Sequence, residues 1–304
     1  MMRIAVVGVG GIGGYYGGKL ALEYGKSDQH EIIFIARGEH LKAIQENGLH
    51  LKAREGNYII RPQIITDDPT KAGVFDLVFF CTKSYSLEIA AQQFNACIQK
   101  NTVVISLLNG VNNHERLRVI LPQANILNGC VHIISVIEKP GFIHEKEGPS
   151  ILSFGTDDET AGRYQYILDI LLQAKINAVL TDQISKVVWG KYMLICPLAS
   201  LASAYSKTYG EIIEEGELRQ KLKKMMKEVI AVAHAHKIIL PDDAVEGAIK
   251  LIGSVGYDNK TSMQLDRERG RQSETDIIPG FLCKAGQESG IPTPLHDEVY
   301  AQLK

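Results

Sequence analysis

Little in this chain marks it as secreted, metal-bound or bound to nucleic acid. Its 304 residues hold five cysteines, Cys81, Cys97, Cys130, Cys196 and Cys283, an odd and scattered set with no Cys-x-x-Cys pair. Reduced, buried thiols in a cytoplasmic protein explain such spacing better than a disulfide framework or a zinc site. Charge of either sign is not in excess, since 33 Lys and Arg face 35 Asp and Glu for a net −2. Without a basic segment there is nothing to attract nucleic acid or an anionic membrane. The one dense run, KLKKMMKEV at 221–229, reads as a solvated helix face. The opening MMRIAVVGVGG passes directly into a strand and a glycine loop, leaving no room for a secretory signal, and no apolar run is expected to reach the length of a membrane span. Internal repeats and low-complexity linkers are missing as well.

What is there is an alternation. β-Branched runs RIAVVGV (3–9), EIIFIAR (31–37), YIIRPQII (58–65), FDLVFFCTK (75–83) and TVVISLLNG (102–110) are separated by helical patterns. Strands alternating with helices imply βαβ units, hence a parallel sheet with right-handed crossovers. Residues 125–155 are rich in strand and turn signals and should extend one edge. From about Gln183 long helical periods take over: 184–206, 214–236, 241–252 and 274–290. A chain this long rarely forms one core. The expected fold is therefore α/β, a Rossmann-type doubly wound domain over residues 1–182 followed by an all-helical domain over 183–304.

Between the first strand and the first helix, Gly8-Val9-Gly10-Gly11-Ile12-Gly13 forms a G-x-G-x-x-G string in the context that the dinucleotide fingerprint requires. Gly8 permits the turn, Gly10 lets the backbone approach a pyrophosphate, and Gly13 lets the helix lie close to the strand. Free N–H groups at the helix N-terminus would meet the phosphates. The second strand lacks the terminal Asp or Glu that grips a ribose 2′-hydroxyl. It ends in Arg37, whose guanidinium suits a 2′-phosphate, so NADP(H) is expected in preference to NAD(H). Lys83 and Asn109 fall at strand C-termini where such sheets meet ligand, although Asn109-Gly110 fits plain turn chemistry equally well.

Chemistry must come from the helical half, because a cofactor domain does not choose a substrate. WGKYMLICPLASLASAY (189–205) carries a single charge, Lys191, on a helical face shared with Ile195, Leu198, Ala199 and Ala202. Such a lysine either snorkels or acts as a proton donor, its pKa drawn down by burial unless a carboxylate balances it. Pro197 should kink this helix. Within the cluster at 258–276, Ser262 and Glu274 flank a stretch that reads as too charged for a core.

In order and spacing, GVGGIGGYYGGKLA, ARGEHLKAIQENGL, the strand-end TK, LLNGV, PGFIHEKEG, WGK, TSMQLDRERGRQSETD and IPTPLHDEVY together resemble the ketopantoate reductase (2-dehydropantoate 2-reductase) family, nearly end to end. The resemblance implies an NADPH-dependent reduction of 2-dehydropantoate to pantoate, a step of pantothenate biosynthesis. It implies Lys191 as proton donor to the keto oxygen, Ser262 as holder of the substrate carboxylate, and Glu274 beside the lysine and nicotinamide. Arg37 and Lys83 would bind the cofactor, and Asn109 would lie near the nicotinamide ribose and the substrate. No nucleic acid, membrane or metal is implied. Apolar faces on the C-terminal helices fit a homodimer or domain packing, which periodicity does not separate.

The chain departs from the family at one point. The family's asparagines four and eight residues after the lysine are here Ile195 and Ala199, and no asparagine occurs between 178 and 258. Losing those hydrogen bonds weakens discrimination for a hydroxylated substrate. Two alternatives follow: a reductase of a less polar 2-oxo acid, or an NADP(H)-binding sensor or scaffold with lost or altered catalysis.

Overall fold

The computed structural model describes residues 1–304, apart from the side chain at position 147. The chain gathers into two compact units: Met1–Leu108 with Asn112–Ile184, and Asn109–Val111 with Ser185–Lys304.

In the first unit the elements run β1 (Met2–Val7), α1 (Gly11–Tyr24), β2 (His30–Ile35), α2 (Gly38–Asn47), β3 (Leu49–Ala53), β4 (Gly56–Ile60), β5 (Ile64–Thr66), α3 (Pro69–Ala72) and β6 (Phe75–Phe80). They continue with α4 (Leu87–Gln93), β7 (Ile98–Ser106), α5 (Asn113–Ile120), β8 (Asn125–Lys139), β9 (Phe142–Gly155), α6 (Gln165–Gln173) and β10 (Asn177–Thr181). Six strands are parallel in the order β5-β2-β1-β6-β7-β8. The order reverses between β1 and β6, which puts a ligand crevice beyond the carboxyl ends of those two strands.

Alternation along the strands separates two cores. Ile4, Val6, Phe34 and Phe79 pack on one face with Leu20 of α1 and Ile167 of α6. Ala5, Val7, Ile33 and Phe80 pack on the other with Leu87 of α4 and Leu117 of α5. Nearly every buried strand residue is thus covered, as a parallel sheet demands.

Two parts of this unit differ from the sequence expectation. The run at 58–65 is not one strand. Its first part ends β4, which pairs antiparallel with β3, a strand the alternation did not disclose. Its last residues begin β5, parallel to β2. Pro62 stands between them and has no N–H for a ladder. At 125–155 the added strands are two long ones: β8 is the sixth parallel strand and β9 returns antiparallel to it. β9 then accepts β3 near its start and β10 near its end.

Helix α1 lies deep in this unit, with Gly13 through Ala21 buried. A Cβ on Gly14 would lie 2.5 Å from Ile143, and one on Gly17 would lie 3.1 Å from both Phe34 and Val6. One on Gly18 would come within 3.2 Å of Leu51. The helix is thin enough to fit between the parallel strands on one side and β3 and β9 on the other.

The second unit is helical: α7 (Ile184–Tyr205, whose first residue belongs to the first unit), α8 (Tyr209–Glu214), α9 (Gly216–Ala235), α10 (Ala244–Ser254), α11 (Ser262–Glu268), α12 (Pro279–Ser289) and α13 (Pro294–Leu303). The expected helix at 214–236 starts afresh at Gly216, because Thr208 and Glu211 form a capping box that makes α8 a separate turn. The helix expected over 274–290 begins only at Pro279, where proline is favoured as a first helical residue. α11 and α13 were not anticipated as helices. The expectation that no apolar run reaches spanning length is corrected by α7: it is long and apolar enough, yet 61% of its most apolar window is buried within the protein, as in a core helix.

Candidate functional site

The first candidate group lies at the switch point of the sheet. β1 ends at Val7 and the chain turns at Gly8, whose φ of +95° is closed to most L-residues. Hydrogen bonds from Gly8 N to Ile35 O (2.9 Å) and from Cys81 N to Val7 O (2.8 Å) fasten the turn to the strands on either side. A Cβ on Gly8 would stand 2.8 Å from Thr82 N. At Gly13 it would stand 2.1 Å from Gly8 O and 2.9 Å from the Cβ of Cys81, so helix and turn touch backbone to backbone. Gly11 proves equally constrained, since its Cβ would meet Ser135 O at 2.1 Å.

Gly10 alone of these has nothing within 4 Å of a built Cβ. It is the N-cap of α1, with no side chain capping the helix, so the first-turn N–H groups of Gly11, Ile12 and Gly13 have no partner within the helix. Open space over a glycine next to amides left unpaired within the helix fits the pyrophosphate of a dinucleotide. Val9 is buried beneath the loop.

Arg37 is exposed and occupies the extended N-cap position of α2, two residues beyond the end of β2. Lys83 is half-buried, three residues beyond β6, at the head of a 3₁₀ turn formed by Ser84–Ser86. Both stand at carboxyl ends of parallel strands. Cys81 is half-buried rather than fully buried, and so is Cys283; the other three cysteines are buried, and none of the five forms a disulfide. Burial pushes the Cys81 thiol well up, which removes it as a thiolate nucleophile beside the loop.

His40 of α2, overlooked in the sequence, accepts a hydrogen bond at Nδ1 from Gly141 N (3.0 Å) and so ties α2 to the turn joining β8 and β9. The signal available was a lone histidine in GEHLKAI, too little to assign it a partner.

In the second unit the structure brings two candidates together over 82 residues of sequence. Lys191 Nζ donates to Asn109 Oδ1 at 2.8 Å. Both residues are half-buried. Lys191 sits two turns into α7, with Ile195 half-buried and Leu198, Ala199 and Ala202 buried along its side of the helix. Pro197 lies inside α7 and removes an amide from its ladder. The neighbouring Tyr192 is buried, and its hydroxyl donates to Ile278 O at 2.6 Å, anchoring α7 to the start of α12. Burial, the largest influence, raises the Tyr192 phenol well above its ordinary value, so it serves as a neutral donor.

Ser262 and Glu274 differ in exposure. Ser262 is the exposed first residue of α11, which Thr261 caps by accepting from Gln264 N (3.2 Å). Glu274 is only 3% exposed, with Thr275, Gln264 and Met263 buried around the same stretch. The expectation that the stretch between Ser262 and Glu274 is too charged to be core is therefore corrected for Met263 and Gln264. Glu274 O also accepts from Ile277 N (3.1 Å) and Ile278 N (2.8 Å), closing a turn before α12.

A doubly wound sheet with a glycine fingerprint at its switch point, together with a helical unit that holds a lysine against an asparagine, defines a dinucleotide-linked oxidoreductase fold. The particular family follows from comparison. The family model for ketopantoate reductase PanE/ApbA matches residues 4–159, and that for the C-terminal part of the same family matches 183–304. The chain belongs to the ketopantoate reductase family. It is 28% identical over 323 residues to a 2-dehydropantoate 2-reductase of Mesorhizobium japonicum, covering 100% of this chain and 97% of that one. It is 27% identical over 304 residues to the uncharacterized oxidoreductase YkpB of Bacillus subtilis, covering 100% and 98%. Among solved structures, a PanE/ApbA family ketopantoate reductase from Ralstonia eutropha superposes with a TM-score of 0.89 at 29% identity, covering 99% of this chain and 96% of that one. The match supports an NAD(P)H-linked oxidoreductase of the 2-oxo-acid reductase type.

Proposed function

We propose that the protein reduces a 2-oxo acid to the 2-hydroxy acid with NADPH, and that 2-dehydropantoate is its leading substrate. The observation that carries the reading is the Lys191–Asn109 contact. An ammonium on an apolar helix is costly to bury unless it is hydrogen-bonded, and an amide oxygen fixes its position without taking its proton. A protonated lysine has three N–H donors. One goes to Asn109, and another protonates the keto oxygen as the carbonyl is reduced.

The cofactor, when bound, supplies the hydride. The chain's own residues do the rest. The amides of Gly11, Ile12 and Gly13 and the open face of Gly10 receive the pyrophosphate, while Arg37 and Lys83 supply positive charge for the phosphates. Arg37 favours the 2′-phosphate of NADPH over the bare hydroxyl of NADH. Ser262 holds the substrate carboxylate, and Glu274 positions Lys191, which recovers its proton from water.

A second reading is favoured by one observation. The face of α7 that follows Lys191 offers Ile195 and Ala199, which cannot hydrogen-bond a substrate hydroxyl. A 2-oxo acid with an apolar side chain suits them better. The test is the loss of NADPH absorbance with 2-dehydropantoate beside a panel of 2-oxo acids of graded polarity. Fast, saturable oxidation with 2-dehydropantoate supports the first reading, and turnover confined to apolar analogues supports the second. Tight NADPH binding with no turnover of any 2-oxo acid overturns both in favour of a cofactor-binding sensor.

A further inference from the structure

Arg116, in the first half of α5, ties its own helix to the stretch 84–88 through one guanidinium. Nε donates to Glu88 Oε1 at 2.6 Å and Nη2 to Glu88 Oε2 at 2.8 Å, a two-pronged pair with α4. Nη2 also donates to Ser84 O at 2.6 Å, and Nη1 to Asn113 Oδ1 at 3.0 Å. The side chain is only 15% exposed, and Ser84 is fully buried. Removing the guanidinium would therefore strip a crowded carbonyl of this partner. Ser84 directly follows Lys83 and opens the 3₁₀ turn, which Ser86 N closes on Lys83 O at 2.9 Å. Planar, two-pronged geometry belongs to arginine; a lysine ammonium can occupy one of these contacts but not the set.

We propose that Arg116 is a positioning residue for Lys83, holding the turn beyond β6 so that the Lys83 ammonium is presented to the cofactor phosphates. The proposal rests on the reading of Lys83 as a cofactor contact. The mechanism gives Arg116 no contact of its own with the cofactor, so its effect must pass through Lys83. That makes the prediction one of coupling rather than of size alone.

The experiment is a double-mutant cycle on direct NADPH binding, followed by quenching of protein fluorescence, with thermal melts of every variant. Arg116→Ala should weaken NADPH binding about ten-fold, the scale of a lost charge-assisted hydrogen bond. In a Lys83→Ala background the same change should alter binding less than two-fold, because coupled residues do not add. Arg116→Lys, which keeps the charge and loses the fork, should behave as Arg116→Ala does. Together with Glu88→Gln it carries the cycle if the alanine variant does not fold. Equal weakening in both backgrounds, or unchanged binding in Arg116→Lys, would overturn the proposal. Unchanged binding in Lys83→Ala alone would instead refute the Lys83 reading, and the proposal with it, in a variant that leaves Arg116 untouched.

Discussion

Two alanine substitutions three residues apart should have opposite consequences. At Gly13 a methyl group would sit 2.1 Å from Gly8 O and 2.9 Å from Cys81 Cβ, and neither neighbour is the free end of a flexible side chain. Overpacking of this kind costs about 3 kcal/mol, offset by about 1 kcal/mol from replacing glycine within a helix. The net loss of about 2 kcal/mol should lower the melting temperature of the first unit by roughly 4–8 °C. At Gly10 a methyl group meets nothing within 4 Å, and the φ of −83° suits any residue. Only the poorer N-cap counts against it there, about 0.5–1 kcal/mol. Gly10→Ala should therefore fold almost as well as the parent, yet bind NADPH ten-fold or more weakly, because the methyl fills the space assigned to the pyrophosphate. Differential scanning fluorimetry and a fluorescence titration with NADPH measure both quantities on the same samples. Parental NADPH affinity in Gly10→Ala refutes the assignment of that open space, whatever Gly13→Ala does.

Lys191→Ala should lower kcat by roughly 10²–10⁴, the range of a lost general acid, while leaving NADPH affinity within about two-fold; retained turnover removes Lys191 from the mechanism. Arg37→Ala should raise the KM for NADPH and leave that for NADH nearly unchanged, and equal effects on both would show that Arg37 does not read the 2′-phosphate. Burial, opposed by Glu228, lowers the pKa of His296 below its ordinary 6.5. Below that pH the unfolded chain takes up a proton that the folded ring refuses, so stability should fall on acidification from pH 7 to 5.5 and His296→Gln should flatten the slope. A urea midpoint that rises on acidification contradicts this. Glu228 also accepts from Leu295 N (2.9 Å) and His296 N (3.1 Å) at the start of α13, so Glu228→Ala should cost about 1–3 kcal/mol in urea unfolding.

The fold was legible wherever a periodicity had one cause. RIAVVGV, EIIFIAR and FDLVFFCTK are buried on both faces, so continuous β-branched runs announce them, and the glycine fingerprint announces what joins the first of them to α1. β3 was hidden because LHLKA follows a helix directly and owes its strand form to pairing with β9 and β4, contacts far along the chain. The stretch around Glu274 read as too charged for a core because its charges are exposed while Glu274 itself is buried, and a window of composition averages the two. The pairing of Lys191 with Asn109 could not be seen at all from spacing, since the two stand 82 positions apart. Arg116 carries no signal in the sequence beyond a charge within a helical pattern, and only its partners give it meaning.

The thinness of α1 has a consequence for how the protein is made. Five of its first eight residues are glycine, each about 1 kcal/mol worse than alanine in a helix. Such a segment does not hold a helical shape by itself. Its walls on one side, Ser135 and Ile143, belong to β8 and β9 and leave the ribosome more than 120 residues after Gly11. Although it precedes β8 and β9 in the chain, the glycine turn is thus fastened only once the strands that close over it have been translated.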